Sequence, residues 1–411
     1  MLLRARIVVP VSKPPISDGF VRVEGNRITA VGPWAEAETK SEAEDLGEVL
    51  LLPGLVNAHC HLDYTDFVGA IPAPSSFTDW INAIVDLKAD VDNNAHVRSW
   101  MNGVNQSLLN GITTVGNIET RLDLLLDLWK NGPLRMVSFI ELIVMRSESD
   151  ASKVVADAAE WIANHSPDSG HVGLSPHAPY TTKPNLLDAC VATHLPLAIH
   201  LAESEEEEEM FRQGGGLLFD RLTGTGRDMA DCGLGSPTAH VERHGVLREG
   251  TLAIHGNYLD DEDIRLLAKH RVSVVHCPRS HDYFGHAPFR AEALHAAGVN
   301  LCLGTDSLAT VREVNAELSL FDELHAHREV FPNLEPEEFL RRVTTNPARA
   351  LGMGGQVGEL VPNAFADMVL LPYEGGAESA VDAAVSHTGP AQAVMLDGHW
   401  EVPPPSFVSL E

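Results

Sequence analysis

The chain is short of cysteine, of positive charge and of long apolar runs, and each shortage excludes something. Its five cysteines among 411 residues (Cys60, Cys190, Cys232, Cys277, Cys302) are odd in number, widely spread and contain no Cys-x-x-Cys pair. That argues against a disulfide framework and against a structural zinc knuckle. Four of the five sit in apolar or strand-like surroundings and read as small buried hydrophobes. Lysine and arginine number 29 against 58 aspartates and glutamates, a formal charge of −29. Such a charge repels nucleic acid and anionic membranes over any long-range approach, so neither is expected as a partner. No apolar run reaches transmembrane length, and Met1–Ile7 lacks the apolar region and cleavage site of a signal peptide, so the expected location is the cytoplasm. Gly214-Gly215-Gly216 lacks the Lys-Ser/Thr of a phosphate loop and reads as a link between two helical stretches.

What is present is organised around Gly54-Leu55-Val56-Asn57-Ala58-His59-Cys60-His61, an apolar run that ends in two histidines one residue apart. A strand has a side-chain period of two, so both imidazoles face one side, about 7 Å apart along the chain. Before this run, alternating stretches such as Phe20-Val21-Arg22-Val23-Glu24 and Ile28-Thr29-Ala30-Val31 flank a turn at Gly25-Asn26-Arg27. The far end of the chain looks alike, with Ala366–Leu371, Ala393–Leu396 and a hairpin signal at Asp397-Gly398. The two ends are expected to pair into one small β-sandwich, residues 1–52 with residues 356–411, around a catalytic domain over residues 53–355.

Between the ends, short β-branched runs alternate with amphipathic helical stretches. The expected strands are Leu51–His61, Ile112–Asn117, Arg135–Leu142, His171–His177, Leu197–His200, Leu252–His255, Val272–His276 and Val299–Asp306, with helices such as Ser76–Lys88, Ala151–His165, Pro184–Thr193, Asp260–His270 and Pro288–Ala297. Eight β/α units predict an α/β fold of the (β/α)8 TIM type, whose active site lies at the C-terminal ends of the strands. The acidic run Glu205–Glu209 reads as a solvated helix start favoured by the helix dipole.

The strand ends carry His59, His61, Glu141, His177, His200, His255, His276 and Asp306, too many at one rim for chance. Zinc takes imidazole and carboxylate ligands and, when catalytic, keeps one position open for water. His59, His61, His200 and Asp306 are therefore the expected ligands of one divalent ion, zinc by its nitrogen-rich donors, with Fe2+ or Mn2+ fitting the same set.

In this order the motifs resemble the amidohydrolase superfamily over essentially the whole chain. They are Pro53–His61, Ser175-Pro176-His177-Ala178-Pro179-Tyr180, His200-Leu201-Ala202-Glu203-Ser204, His255-Gly256-Asn257, Val275-His276-Cys277-Pro278-Arg279-Ser280-His281 and Gly304-Thr305-Asp306-Ser307. The branch resembled is that of mononuclear aminohydrolases acting on purines and related heterocycles. The resemblance implies attack of metal-bound hydroxide on the carbon bearing an exocyclic amine, with release of ammonia. It implies that Glu203 protonates the ring nitrogen, that Asp306 is ligand and base together, and that His255 orients the water and stabilises developing charge. Binuclear relatives carry a carboxylated lysine where this chain has His177, so one ion is expected.

Leu62-Asp63-Tyr64-Thr65 departs from the pattern of guanine- and adenosyl-type deaminases. Cys277-Pro278-Arg279-Ser280-His281 is similar to the aminodeoxyfutalosine deaminases of the menaquinone route, whose substrate is an adenine nucleoside bearing a benzoate. The resemblance thus implies a small-molecule substrate such as 6-amino-6-deoxyfutalosine, with Arg279 either as partner of its carboxylate or in a structural ion pair inside the barrel. Deamination of adenosine, S-adenosylhomocysteine or guanine, and hydrolysis of a chlorotriazine or amide, are the alternatives. His177, Trp80 and Ser307 are expected to face the substrate, and Glu141 and His276 to stand behind the ligands or in the pocket wall. A silent scaffold normally lacks ligands, and here all four are present. A homo-oligomer is compatible with the fold class, although no stretch marks an interface.

Overall fold

The computed structural model describes residues 1–146, 149–167 and 169–404. The N-terminal segment supplies strands β1 (Leu2–Val8), β2 (Ile16–Glu24), β3 (Arg27–Pro33), β4 (Ala43–Asp45) and β5 (Val49–Pro53). The run predicted as a single strand over Leu51–His61 then breaks at Gly54, and β6 (Leu55–Cys60) starts a different sheet. The reason is a close approach. A Cβ on Gly54 would lie 2.1 Å from Thr113 Oγ1, and the Gly54 N–H donates to the Asp367 carbonyl at 2.9 Å. Only a glycine lets the chain cross there from one sheet to the other.

β6 continues into β7 (Ile112–Glu119), β8 (Arg135–Leu142), β9 (Gly170–Pro176), β10 (Leu197–Leu201), β11 (Thr251–His255), β12 (Ser273–His276) and β13 (Leu301–Leu303). These eight pair in sequence order, each parallel to its neighbours. A parallel bridge between Cys60 and Asp306, with the Thr305 and Asp306 N–H groups on the His59 carbonyl at 3.1 and 3.2 Å, draws the last strand to the first. The result is a nearly closed TIM-like barrel. The last predicted strand is cut to Leu301–Leu303 because Asp306 leaves the strand conformation, at φ +53°.

Helices cover the barrel close to where the sequence places them: Phe77–Ala89, Ala151–Asn164, Pro184–Ala192 and Asp261–Lys269. Ser76 caps the first by accepting the Asp79 N–H at 3.0 Å. The helix expected from Pro288 starts later, at Ala291.

After the barrel, β14 (Met368–Pro372), β15 (Ala393–Leu396) and β16 (His399–Val402) return to the N-terminal strands. One hydrogen-bonded sheet runs β16-β15-β14-β5-β1-β2-β3, with β4 on β1, so both ends of the chain share it. Its central strands are apolar on both faces. Val49, Leu51, Met368, Leu370 and Met395 pack into a core of the sheet's own, whereas Leu50, Leu52, Val369, Leu371 and Val394 pack against the barrel's helices. Period-two alternation thus joins the sheet to the barrel. Among the described residues, all five cysteines are free and four are buried, and no helix is long and apolar enough to cross a membrane.

At the base of the barrel, fully buried Arg135 opens β8 and donates to Asp367 at 3.0 and 3.1 Å and to Asp397 at 2.8 Å, with its guanidinium 3.5 Å from the Phe365 ring centroid. It ties β8 to the C-terminal hairpin. Removing one partner of a buried ion pair strands the other. Arg135→Leu should therefore cost about 3–5 kcal/mol in chemical denaturation with metal content unchanged; a loss below about 1 kcal/mol would show the pair to be dispensable.

Candidate metal centre and active site

His59 lies in β6 and His61 just past its end, and the strand period brings their ring centroids to 4.8 Å. Barrel closure then sets His200, from β10, 5.1 Å from His59 and 5.5 Å from His61. His255, the last residue of β11, is 5.4 Å from His200 and 5.9 Å from His59. Asp306 completes the group, with Oδ1 3.4 Å from His59 Nε2 and 3.7 Å from His61 Nε2. All five side chains are buried. The donor atoms of His59, His61 and Asp306 lie within 4.8 Å of one another, as do those of His59, His200 and His255.

This donor set fits a divalent ion. Both ring nitrogens of His59 and Nδ1 of His61 are buried without hydrogen-bond partners, which is costly unless something else engages them. Burial, then mutual repulsion with neighbouring imidazoles, pulls His61 and His200 well below the usual histidine range. Burial likewise lowers His255, against the attraction of Asp306. The rings are thus neutral, which is the form that coordinates metal. Burial pushes the Asp306 carboxyl up, but the close approach of His59 Nε2 and the surrounding histidines outweigh it and hold the group well below the ordinary carboxylate range. The ligands are also aimed. His200 Nδ1 meets the His177 carbonyl at 2.9 Å, which fixes its tautomer and turns Nε2 inward. Asp306 Oδ2 accepts from Ser280 Oγ at 2.7 Å and Thr310 Oγ1 at 3.1 Å, leaving Oδ1 to the histidines.

Three rim residues adopt left-handed backbone: Ala202 (φ +50°), His255 (φ +73°) and Asp306 (φ +53°). Each such turn costs of order 1–3 kcal/mol and is retained where the surroundings enforce it. Here each lies at or beside a site residue.

Glu203 stands beside His255, with Oε1 3.5 Å from Nε2. Burial, then the nearby Asp306 and Glu207 carboxyls, raises it well above the usual carboxylate range. The acidic run that follows is not the solvated face the sequence predicts. Only Glu205 is exposed. Glu206 turns toward the helix Phe77–Ala89 and accepts the Phe77 and Thr78 N–H groups at 2.8 and 3.0 Å, and Glu208 pairs with Arg212. Glu207 is wholly buried and is pushed up to about 8 by that burial. The correction has a packing cause: this helix lies between the Phe77 helix and the barrel rim, so its charged face meets protein.

A cavity of about 390 Å3 opens from the cluster. His61, His177, His200, Glu203, His255 and Asp306 line it, and Trp80, Ile81, Ile84, Ile143, Met145 and Leu222 supply much of its apolar wall. Trp80, Glu141, His177 and Ser307 line it too. His177 Nδ1 is 2.7 Å from Thr181 Oγ1, its Nε2 is 3.9 Å from Glu141, and burial takes its pKa down to about 3.

Arg279 does not line the cavity. Its Nε donates to Glu323 at 2.6 Å, its N–H to the same carboxylate at 3.0 Å and its Nη2 to the Glu317 carbonyl at 2.9 Å. The sequence reading of Arg279 as a substrate-carboxylate partner is corrected accordingly: the guanidinium is consumed by a buried ion pair between helices. His276 also stands outside the cavity, stacked on Phe289 at 3.8 Å. The reading missed Lys88, Arg146 and Arg221, all of which line the pocket. Lys88 and Arg221 lie on helices, where no strand-end rule directs attention to them.

The amidohydrolase family matches residues 50–400. The chain is 29% identical over 376 residues, covering 86% of this chain and 80% of the other, to a 5-methylthioadenosine/S-adenosylhomocysteine deaminase from Syntrophobacter fumaroxidans. It is 29% identical over 362 residues, covering 82% of each chain, to an aminodeoxyfutalosine deaminase from Deinococcus radiodurans. In structure it is similar to a zinc-bound adenosine deaminase from Xanthomonas campestris, with a TM-score of 0.82 at 24% identity over 100% of this chain and 94% of the other.

Elemental analysis of the purified protein should find about one divalent ion per chain. His200→Ala and Asp306→Ala should each bring that to near zero, and Arg279→Met should leave it unchanged. Two ions per chain, or full occupancy in Asp306→Ala, would contradict the ligand set.

Proposed function

Because the chain belongs to the amidohydrolase family and is a hydrolase of C–N bonds, we propose that it deaminates an adenine-type nucleoside by hydrolysis. The observation that carries this reading is the meeting of a metal-ligand cluster with a proton-transfer pair, Glu203 and His255, at the floor of one largely apolar cavity.

A bound divalent ion, for which zinc is proposed on its nitrogen-rich donors, lowers the pKa of water to about 7 and so supplies a nucleophile at neutral pH. His59, His61, His200 and Asp306 would hold it. Everything else falls to the chain's own groups. Glu203 gives its carboxyl proton to the ring nitrogen beside the reacting carbon, so that negative charge does not build up there. His255, in contact with Glu203, orients the attacking water and offers Nε2 to the oxygen as charge develops. Asp306 takes one water proton and passes it to the amine, which leaves as ammonia as the C–N bond breaks, and the proton remaining on the attacking oxygen returns to Glu203 as the carbonyl forms. Trp80 and the isoleucines exclude bulk water and offer flat apolar surface to a purine.

Within this class we place the substrate among nucleosides that carry a carboxylate, with 6-amino-6-deoxyfutalosine as the specific proposal. Support comes from Lys88 and Arg221 in the cavity lining, which take the part first read for Arg279. Arg221 donates Nε to Asn82 at 2.6 Å, which fixes its orientation, and Lys88 lies over the Tyr64 ring at 4.7 Å from the centroid. The terminal sheet is read as the small β-sandwich that accompanies such barrels.

Ammonia release should be measured on 6-amino-6-deoxyfutalosine, adenosine, S-adenosylhomocysteine, guanine and a chlorotriazine. A preference for the first of about 100-fold in kcat/KM corresponds to about 2.7 kcal/mol of transition-state discrimination. Release from none of the five by metal-replete protein would remove the substrate class. Glu203→Gln should lose at least about 100-fold in kcat and keep its metal; near-normal turnover would remove Glu203 from the chemistry.

A further prediction separates the cations. Lys88→Met and Arg221→Met should raise KM for the carboxylate-bearing nucleoside about 10-fold or more and leave that for adenosine within about two-fold. Arg279→Met should act equally on both. Equal effects of Lys88→Met and Arg221→Met on the two substrates would exclude a carboxylate subsite there.

A further inference from the structure

Two features of the sequence have no part in the chemistry above: the acidic run after Glu203, and His281 at the end of the Cys277–His281 motif. The structure brings both to the backbone of Glu203, one to its N–H and one, through Asn257, to its C=O. Glu207, fully buried, accepts the Glu203 N–H on Oε2 at 2.8 Å, while its Oε1 has no hydrogen-bond partner among the described residues. On the other side of Glu203, the carbonyl accepts from Asn257 Nδ2 at 3.0 Å. Asn257 is itself buried, and its Oδ1 meets His281 Nδ1 at 3.0 Å. Since the Glu203 carbonyl can only accept, Asn257 turns Nδ2 to it and Oδ1 to His281, whose Nδ1 therefore carries the proton.

Glu203 needs such a hold. It follows Ala202, whose φ of +50° takes the chain out of β10, and it precedes the helix that starts at Glu205, so neither a sheet ladder nor a helix satisfies its backbone. The Ala202 carbonyl is likewise taken by the Tyr258 N–H at 3.0 Å, one residue past Asn257. A left-handed residue before a free peptide would leave the carboxyl of Glu203 to swing. Gripped at N–H and C=O, it is aimed at His255.

We propose that Glu207 and Asn257 are positioning residues for Glu203, acting as two jaws on its backbone, with His281 orienting the second jaw. They touch neither substrate nor reacting atoms. A lost jaw lets the proton donor drift, and a misplacement of about 1 Å can cost on the order of 100-fold in rate. This rests on the reading of Glu203 as the proton-transferring group.

The test uses the metal-loaded full chain with 6-amino-6-deoxyfutalosine and adenosine, reading kcat, KM, metal content and Tm for Glu207→Ala, Glu207→Gln, Asn257→Asp and Glu203→Gln. Glu207→Ala should lower kcat about 30- to 100-fold with KM within about two-fold and metal unchanged. Glu207→Gln keeps an oxygen that accepts the Glu203 N–H and should hold kcat within about three-fold of wild type. Asn257→Asp sets an acceptor against the Glu203 carbonyl and should lower kcat at least about 10-fold, again with metal retained. It decides the matter if Glu207→Ala fails to fold. Three results overturn the proposal: kcat within about two-fold of wild type in both Glu207→Ala and Asn257→Asp, Glu207→Gln as impaired as Glu207→Ala, or losses that follow metal content or Tm in place of kcat. If Glu203→Gln turns over normally, or wild-type protein releases ammonia from neither nucleoside, the premise falls and the clamp with it. An inactive Glu203→Gln beside unimpaired Glu207→Ala and Asn257→Asp removes the clamp alone.

Discussion

Four imidazoles and a carboxylate packed out of water around one point are the constraint on which this molecule depends. Buried ring nitrogens without hydrogen-bond partners cost stability, and like groups crowded together cannot ionise. The arrangement is tolerable because burial keeps His61, His200 and His255 neutral beside the charged Asp306, a combination that an incoming cation relieves. The polar groups behind the cluster follow from the same need. Ser280, Thr310 and the His177 carbonyl each satisfy the face of a ligand that points away from the centre, and so decide which atom points toward it.

The barrel delivers these groups to one point, and its closure is local to the site. The bridge from Cys60 to Asp306 and the two N–H groups on the His59 carbonyl join the first strand to the last at the height of the ligands. Closure and ligand geometry are thus one event: an Asp306 displaced from its left-handed turn would open the barrel and break the coordination set together. The other end is held differently. There Arg135 binds carboxylates from the C-terminal segment, and the sheet of both termini packs its second face on the barrel's helices. Rigidity at the base and strain at the rim are compatible because they lie on opposite ends of the same strands.

The sequence made the eight strands, their order and the strand-end histidines legible, because all of these are written in short-range patterns. Period two places His59 beside His61, and β-branched runs between helices mark a parallel barrel. What it hid depends on tertiary direction. Arg279 and Lys88 are both cations on helices near the rim, yet one is spent on Glu323 and the other reaches the cavity. Nothing in spacing distinguishes them. The acidic run misled for a related reason. A helix start rich in glutamate is normally solvated, and only the packed Phe77 helix and the turn at Glu203 show that Glu206 and Glu207 are structural acceptors. The break at Gly54 was missed although Pro53-Gly54 is a local turn signal, because the apolar residues on either side of it read as one strand.

Charge adds a last step. A chain of net charge −29 disfavours anionic ligands at a distance, yet the cavity lining holds Lys88 and Arg221. The two facts operate on different length scales. Beyond about 8–10 Å, salt screens individual charges, so the acidic surface acts only weakly on a small anion while it still disfavours a polyanion, whose many charges add. Inside the cavity, low polarity and short distance make one guanidinium or ammonium count for more than many surface carboxylates. Glu141 lies in the same wall, raised above its usual range chiefly by burial. An acidic surface therefore sets solubility and excludes polyanions, while a pocket only a few residues wide sets which small molecule is held, and with which end toward Asp306.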